Sequence, residues 1–130
     1  MAKDGIQLEW SPTPVPMVVS QPVLLKQALN SVLANALEAM PRGGYLRVNV
    51  VPDERHQRLA LNIADTGGGM SAEQQERAFK PFYSTKRGGL GVGLSLVKRI
   101  MERFGGNVTL SSREHVGTNV CLSFKVAERG

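Results

Sequence analysis

Apolar and polar residues alternate along several short stretches of this chain. Near the N-terminus, Ile6, Leu8 and Trp10 are separated by polar residues and precede a proline-rich segment that begins at Pro12. Successive side chains on a strand point to opposite faces of a sheet, so this alternation predicts a short, half-buried strand followed by a loop.

Four more stretches show the same alternation. The apolar positions of residues 46–50 and 59–63 are joined by a polar segment, 52–58, which predicts two adjacent antiparallel strands with a hairpin connection. Residues 108–110 and 120–126 alternate in the same way on either side of Gly117, which predicts a final pair of strands joined by a turn.

Other stretches have the period of an α-helix. Apolar residues recur every three or four positions over about 23–40, and Pro41 with the Gly43-Gly44 pair is predicted to end that helix. A second helix is predicted over 94–104, with Gly105-Gly106 as its stop. Ser71 and Gln74 have the spacing of a capping box, which predicts a short helix from Ala72 towards Phe79.

One apolar face on each strand and helix favours a two-layer α+β sandwich. We predict a mixed, mostly antiparallel sheet with about three helices packed on one face. The 130 residues, 42% of them hydrophobic, suit a single domain over 1–130. No stretch approaches a membrane span, and the one cysteine, Cys121, cannot form an internal disulfide. We therefore expect a cytoplasmic domain without membrane contact of its own.

The net charge of +5 fits a nucleic-acid binder, a protein with an acidic partner, or a site for a polyanionic ligand. Aromatic residues make up only 5% of the chain, and no basic run is interleaved with them. The stacking surfaces typical of single-strand binders are therefore not predicted, and we expect no nucleic-acid partner.

The first candidate for chemistry is Asp65. It follows Ile63 by two positions and should point to the same inward face, where a carboxylate needs a hydrogen-bonding partner. The run Gly67–Gly69 comes directly afterwards and leaves room for a flat ligand such as adenine. The alternative is an aspartate that simply opens a glycine turn.

Gly89, Gly91 and Gly93 precede the helix predicted from Leu94, and Lys86 lies just upstream. Unpaired amides and the positive end of the helix dipole make such a start an anion site, although a mobile glycine loop gives the same pattern. A polar stripe on the first long helix offers either magnesium ligands or a solvated face. The stripe consists of Gln27, Ser31, Asn35 and Glu38.

In this order, five segments resemble the conserved boxes of the ATP-binding domain of sensor histidine kinases, in the GHKL superfamily with its Bergerat-type fold. LNSVLANALEAM (29–40) resembles the N box, DTGGGM (65–70) the G1 box, FKPFYSTK (79–86) the F box, GLGVGL (89–94) the G2 box, and Gly117-Thr118 the last motif. The resemblance spans about residues 8–126.

The resemblance implies ATP and Mg²⁺ as cofactors and a lid over residues 71–91. It implies that Asp65 receives the adenine amino group, that Asn35 binds Mg²⁺, and that Asn35 and Lys86 serve catalysis. The implied nucleotide-binding residues are Asn35, Glu38, Asp65, Gly67, Gly69, Met70, Phe82, Lys86, Gly89, Gly91, Val92, Gly93, Leu94 and Thr118.

One position departs from the family pattern. Ser31 stands where the N box usually has a second asparagine, and Asn30 is displaced by one residue. On a helix Asn30 is turned about 100° from Ser31, so it cannot take the same place. Related ATPases have a glutamate there as general base, a role Ser31 cannot fill, and efficient ATP hydrolysis is not expected.

The function implied is transfer of the γ-phosphoryl group of ATP to a histidine on a separate dimerisation domain, with a response regulator downstream. We expect His56 and His115 to be surface residues, so the phosphoacceptor domain is absent from this chain and the isolated domain should be monomeric. We expect this domain to be cytoplasmic, whether or not its parent kinase is anchored in a membrane. Two alternatives are a nucleotide-binding adaptor resembling a pseudokinase and a serine kinase of the anti-sigma type.

Overall fold

The computed structural model describes residues 2–3, 5–10, 21–80 and 93–126. Within them the chain forms the strands β1 (Ala2–Lys3), β2 (Ile6–Trp10), β3 (Gly44–Asp53), β4 (Arg58–Asp65), β5 (Asn107–Arg113) and β6 (Gly117–Lys125). The helices described are α1 (Pro22–Glu38), α2 (Ala72–Arg77) and α3 (Gly93–Arg103).

The described strands form one sheet in the order β1-β2-β3-β4-β6-β5. β2 and β3 are parallel, with α1 between them in sequence, and every other neighbouring pair is antiparallel. A parallel pair needs a long crossover connection, and α1 forms part of it. The predicted mixed, mostly antiparallel sheet is confirmed, including the β3–β4 hairpin.

The core lies between one face of the sheet and α1 and α3, which also pack against each other. We call this the helix face and the opposite one the open face. Alternate residues of β4 and β6 point to the helix face, and Leu122 at its centre is fully buried. α2 lies against β5 at the end of the sheet. The predicted two-layer α+β architecture is confirmed.

The helix boundaries differ slightly from those that the sequence pattern predicts. α1 ends at Glu38, two residues before Met40, yet the Met40 side chain is 2% exposed and belongs to the core. The predicted capping box of α2 is present: Gln74 N–H donates to Ser71 Oγ at 3.1 Å, and Ser71 N–H donates to Gln74 Oε1 at 2.9 Å. Among the described helices, none is long and apolar enough to cross a membrane.

Candidate nucleotide site

Asp65 ends β4 on the helix face, as predicted. It continues the row of Leu59, Leu61 and Ile63, and its partner across the β4–β6 ladder is Thr118. Both residues are half-buried. The two polar side chains therefore sit side by side where their apolar rows end, at one edge of the core.

The Asp65 carboxylate is also engaged locally. Its Oδ1 accepts a hydrogen bond from Gly67 N–H at 2.8 Å, so the aspartate does open the glycine turn. A carboxylate has about four lone-pair positions, so this bond is compatible with further hydrogen bonds from a ligand. The two interpretations of Asp65 drawn from the sequence are thus compatible rather than competing.

The loop after Asp65, residues 66–70, is held against two other parts of the chain. A Cβ atom on Gly67 would lie 2.5 Å from the Ala39 carbonyl oxygen, just after α1, and one on Gly69 would collide with the Arg113 carbonyl oxygen. Gly69 also has a φ of +70°, which favours glycine. These two glycines allow the loop to lie directly on the end of α1 and on β5.

Gly117 allows a further close approach. A Cβ atom there would collide with the Asp65 carbonyl oxygen, and its φ is +148°. The final glycine and threonine of the predicted motif set therefore lie directly beside Asp65. Thr118 is the ladder partner of Asp65, and its expected contact with the nucleotide stays a prediction.

Asn35 lies at the other end of the site. It is half-buried on α1, and a Cβ on Gly93, the first residue of α3, would lie 3.5 Å from Asn35 Nδ2 and 3.7 Å from Oδ1. This part of the polar stripe is therefore not a solvated face, because it meets the N-terminal turn of α3. Glu38, one turn further on, is exposed at the last position of α1.

Leu94 is 7% exposed, so its side chain packs in the protein interior and only its backbone is suited to meet a phosphate. Met70 is half-buried and is held through its backbone. The remaining predicted site residues lie outside the described part of the chain and stay predictions. They are Phe82, Lys86, Gly89, Gly91 and Val92.

Two residues of the site are not singled out by the sequence analysis. Ser112 Oγ accepts from Met70 N–H at 2.8 Å and lies 2.8 Å from Thr118 Oγ1. Thr66 Oγ1 accepts from Tyr45 N–H at 2.9 Å and ties the glycine loop to β3. Ser112 continues the inward row of Val108 and Leu110, which is the signal that pointed to Asp65.

A shallow hollow of about 490 Å³ adjoins this end of β4, β5 and β6. By strand alternation, the side chains of Ala64, Ser111, Arg113 and Asn119 in its lining point to the open face, away from those of Asp65 and Thr118. Asp65, Ser112 and Thr118 also contribute to the lining, so the hollow lies at the end of the strands, next to the helix-face site.

Comparison with known proteins identifies the family of this chain. The family profile of histidine kinase-, DNA gyrase B-, and HSP90-like ATPases matches residues 20–128. The chain belongs to this ATPase family. The resemblance to the ATP-binding domain of sensor histidine kinases, drawn from the five motifs, is confirmed.

Two relatives of this ATPase domain are named as kinases. The chain is 35% identical over 115 residues to sporulation kinase E of Bacillus subtilis, covering 88% of this chain and 15% of that protein. It is 38% identical over 95 residues to the sensor histidine kinase ZraS of Klebsiella oxytoca, covering 73% of this chain and 20% of ZraS. The chain thus corresponds to a small part of each relative.

A solved structure has the same fold. Full-length ShkA in complex with AMPPNP matches with a TM-score of 0.78 and 26% identity, covering 97% of this chain and 27% of ShkA. The similarity extends over nearly all of this ATPase domain, including the elements that carry Asn35, Asp65 and Thr118.

Proposed function

We propose that this domain binds Mg-ATP between Asp65 and the start of α3 and transfers the γ-phosphoryl group to a histidine on a separate dimerisation domain. The proposal rests on the proximity of the Asn35 amide to Gly93, where a Cβ atom would lie 3.5 Å from Nδ2. It sets the expected magnesium ligand beside the helix start that offers amides to phosphate.

The purine end of the proposed site is supported by the Asp65–Thr118 pair. Adenine offers an exocyclic amino group, a hydrogen-bond donor, and both side chains contain acceptor oxygens. The pair lies at the edge of an apolar core, where a flat ring can bury its faces. Asp65 is proposed to accept from the amino group, with Gly67, Gly69 and Met70 forming the adjoining wall.

The residues at the phosphate end suit magnesium. Asn35 contributes an amide oxygen, Mg²⁺ prefers oxygen ligands, and Gly93 has no side chain to fill the space beside them. When bound, magnesium would neutralise charge on the phosphate oxygens. Glu38 is exposed one turn from Asn35, and the amides at the start of α3 are suited to bind phosphate.

In the proposed reaction an imidazole nitrogen of the partner histidine forms a bond to the γ-phosphorus. The bond from that phosphorus to the bridging oxygen breaks, and ADP leaves. Such transfers depend mainly on alignment and charge neutralisation, so this domain need only hold the nucleotide in place. Both histidines here, His56 and His115, are exposed, as predicted, and neither is proposed as the acceptor.

The partners follow from the same proposal. The histidine is supplied by the dimerisation domain of the parent kinase, and a response regulator accepts the phosphoryl group afterwards. The relatives that match are several times longer than this chain, which fits a domain that works with others.

A titration with a fluorescent ATP analogue tests the site. In the presence of Mg²⁺, Asp65→Asn should weaken binding at least about tenfold, because an amide nitrogen presents a donor towards the amino group. Asp53→Asn, at the exposed hairpin end of β3, is the matched control and should bind as the wild type does. Undiminished binding by Asp65→Asn would contradict the assignment of the pocket.

One observation favours a second function, a nucleotide-binding adaptor without phosphotransfer. Ser31 is half-buried on α1 at the place of the expected asparagine, while Asn30 is exposed and turned away. Incubation with the parent's histidine domain and Mg-ATP separates the two functions. Acid-labile phosphate on that domain supports the kinase, bound nucleotide without transfer supports the adaptor, and acid-stable phosphate supports a serine kinase.

A further inference from the structure

We propose that Ser112 is a positioning residue of the nucleotide site, which fixes the Thr118 hydroxyl and the Met70 backbone beside the purine. This inference rests on the proposed function, because it deepens the account of the same site. The geometry that carries it is a cluster of hydrogen bonds centred on one hydroxyl.

The Ser112 hydroxyl has three polar neighbours. Met70 N–H donates to Ser112 Oγ at 2.8 Å, Gly117 O lies 3.0 Å away as an acceptor, and Thr118 Oγ1 lies 2.8 Å away. Met70 belongs to the loop after Asp65, and Thr118 is the ladder partner of Asp65. Ser112 thus joins two walls of the site.

Counting protons gives the direction of each bond. A serine hydroxyl has one proton to donate and two lone pairs with which to accept. The Gly117 carbonyl can only accept, so all three contacts are satisfied together when Ser112 donates to Gly117 O. Met70 N–H and the Thr118 hydroxyl then both donate to Ser112.

This direction fixes what Thr118 presents to a ligand. With its proton committed to Ser112, Thr118 Oγ1 offers only lone pairs on its other side. It then acts as an acceptor towards an amino group, or towards a water that the amino group donates to. The Thr118 hydroxyl is thereby matched to Asp65, whose carboxylate also accepts.

Two further contacts hold the same loop. Gln75 Nε2 on α2 lies 3.1 Å from both Met70 O and Ser112 O, and His115 N–H donates to Gly68 O at 2.7 Å. The loop is therefore held at two residues: Met70 is tied to β5, and Gly68 is tied to the turn between β5 and β6. Loss of the Ser112 hydroxyl would free Met70 N–H and the Thr118 proton while these other contacts stay in place.

The consequence is a preference between purines. Adenine has an amino group at the position where guanine has a carbonyl, so a pair of fixed acceptors favours adenine. Without Ser112 the Thr118 hydroxyl can rotate and donate, which removes part of that preference. We expect Ser112→Ala to weaken ATP binding about tenfold and GTP binding less, so that the ATP/GTP affinity ratio falls.

The experiment is a double-mutant cycle with Ser112→Ala and Thr118→Val, measured by ATP and GTP titration in Mg²⁺. Each variant is assayed well below its thermal midpoint, so that a merely structural effect does not move the affinities. Ser111→Ala is the matched control, because this neighbouring serine is exposed and points to the open face. We expect the control to bind as the wild type does and the double variant to lose less affinity than the sum of the two single losses.

Ser112→Thr, which keeps a hydroxyl, should retain the wild-type ATP/GTP ratio and serves if the alanine variant does not fold. The inference is overturned if Ser112→Ala leaves the ATP/GTP affinity ratio unchanged, or if its affinity loss adds fully to that of Thr118→Val. It is also overturned if Ser112→Thr lowers the ATP/GTP affinity ratio. A wild type that binds no nucleotide overturns the proposed function, and the inference with it. If the wild type binds nucleotide and Ser112→Ala has the same ATP and GTP affinities, the inference is overturned but the proposed function is not.

Discussion

The two faces of the sheet are built from the same strands, yet they differ in kind. On the helix face, alternate residues of β4 and β6 are apolar and packed under α1 and α3. On the open face of the described strands, an amide ladder crosses β3, β4 and β6. Asn62 Nδ2 donates to Asn49 Oδ1 at 3.1 Å, and Asn119 Nδ2 donates to Asn62 Oδ1 at 3.4 Å.

The difference shows that the role of a polar side chain depends on which face of the sheet it lies on and on the residues that precede it along the strand. The open-face asparagines bond to one another across three strands. Asp65, Thr118 and Ser112 instead end apolar rows, at the edge of the core. A polar group in such a place is costly unless it is paired, so it points to a site rather than to a solvated surface.

The largest effect should come from truncating the centre of the helix face. Leu122→Ala should lower the free energy of unfolding by about 3 kcal/mol, because Leu122 is fully buried and the cavity cannot close completely. Urea unfolding measures the loss. Cys121→Ala, one residue away on the open face, should cost less than about 1 kcal/mol. Equal losses would contradict the distinction between the faces.

The glycine loop at the end of the helix face allows a second comparison, between alanine variants of two neighbouring glycines. Gly69→Ala should cost about 2 kcal/mol or more, because its φ is +70° and a Cβ would collide with the Arg113 carbonyl. A Cβ on Gly68 would meet nothing within 4 Å, so Gly68→Ala should stay within about 0.5 kcal/mol. Thermal unfolding of the two variants compares them, and similar midpoints would show that the loop does not lie on β5 as described.

A smaller effect is expected for the amide ladder. Asn62→Ala removes both of its hydrogen bonds, and we expect a loss of about 1 kcal/mol because water replaces part of each bond. Ser111→Ala on the same face should change stability by less than about 0.5 kcal/mol. A loss above about 2 kcal/mol for Asn62→Ala in urea unfolding would mean that the open face is not simply solvated.

The smallest effect concerns the exposed β3–β4 hairpin, far from both the core and the site. The side-chain hydrogen bond from His56, helped by its backbone N–H and its charge, holds the pKa of Asp53 below its ordinary value. A depressed carboxyl pKa contributes stability above the ordinary pKa, and that contribution is lost as pH falls through the folded pKa.

His56→Ala should therefore raise the pKa of Asp53 towards its ordinary value, with little change in nucleotide binding. The pKa of Asp53 is measured from its carboxyl ¹³C chemical shift in a titration from neutral to acidic pH. The same titration midpoint for Asp53 in both proteins would show that the ion pair does not persist in solution. Glu54→Gln, in the same turn, is a control for a change of local charge.

Some parts of the site could be predicted from the sequence because their signals are local. The position of Asp65 followed from counting two residues from Ile63 along one strand, and the cap of α2 from the spacing of Ser71 and Gln74. The exposure of His56 and His115 was likewise predictable from the turns around them. Each of these depends only on neighbours a few residues away.

Other parts depended on partners far away in the chain. The pattern of the stripe containing Asn35 is equally consistent with a solvated face, but in the structure α3 begins beside Asn35. Ser112 carried the same inward signal as Asp65, but nothing nearby showed that Met70 and Thr118 would share its hydroxyl. The order of the strands, with β6 between β4 and β5, was also outside what alternation can show.

The sequence alone therefore determined the strands and helices, their apolar faces and the motif set of the family, because periodicity and motif order are visible along the chain without knowing which residues meet. Only the tertiary structure decided which polar residues meet: Asp65 with Thr118, Asn35 with Gly93, and Ser112 with the glycine loop. Those contacts join segments tens of residues apart, and packing of the helices and glycine loops, not propensity, brings these segments together.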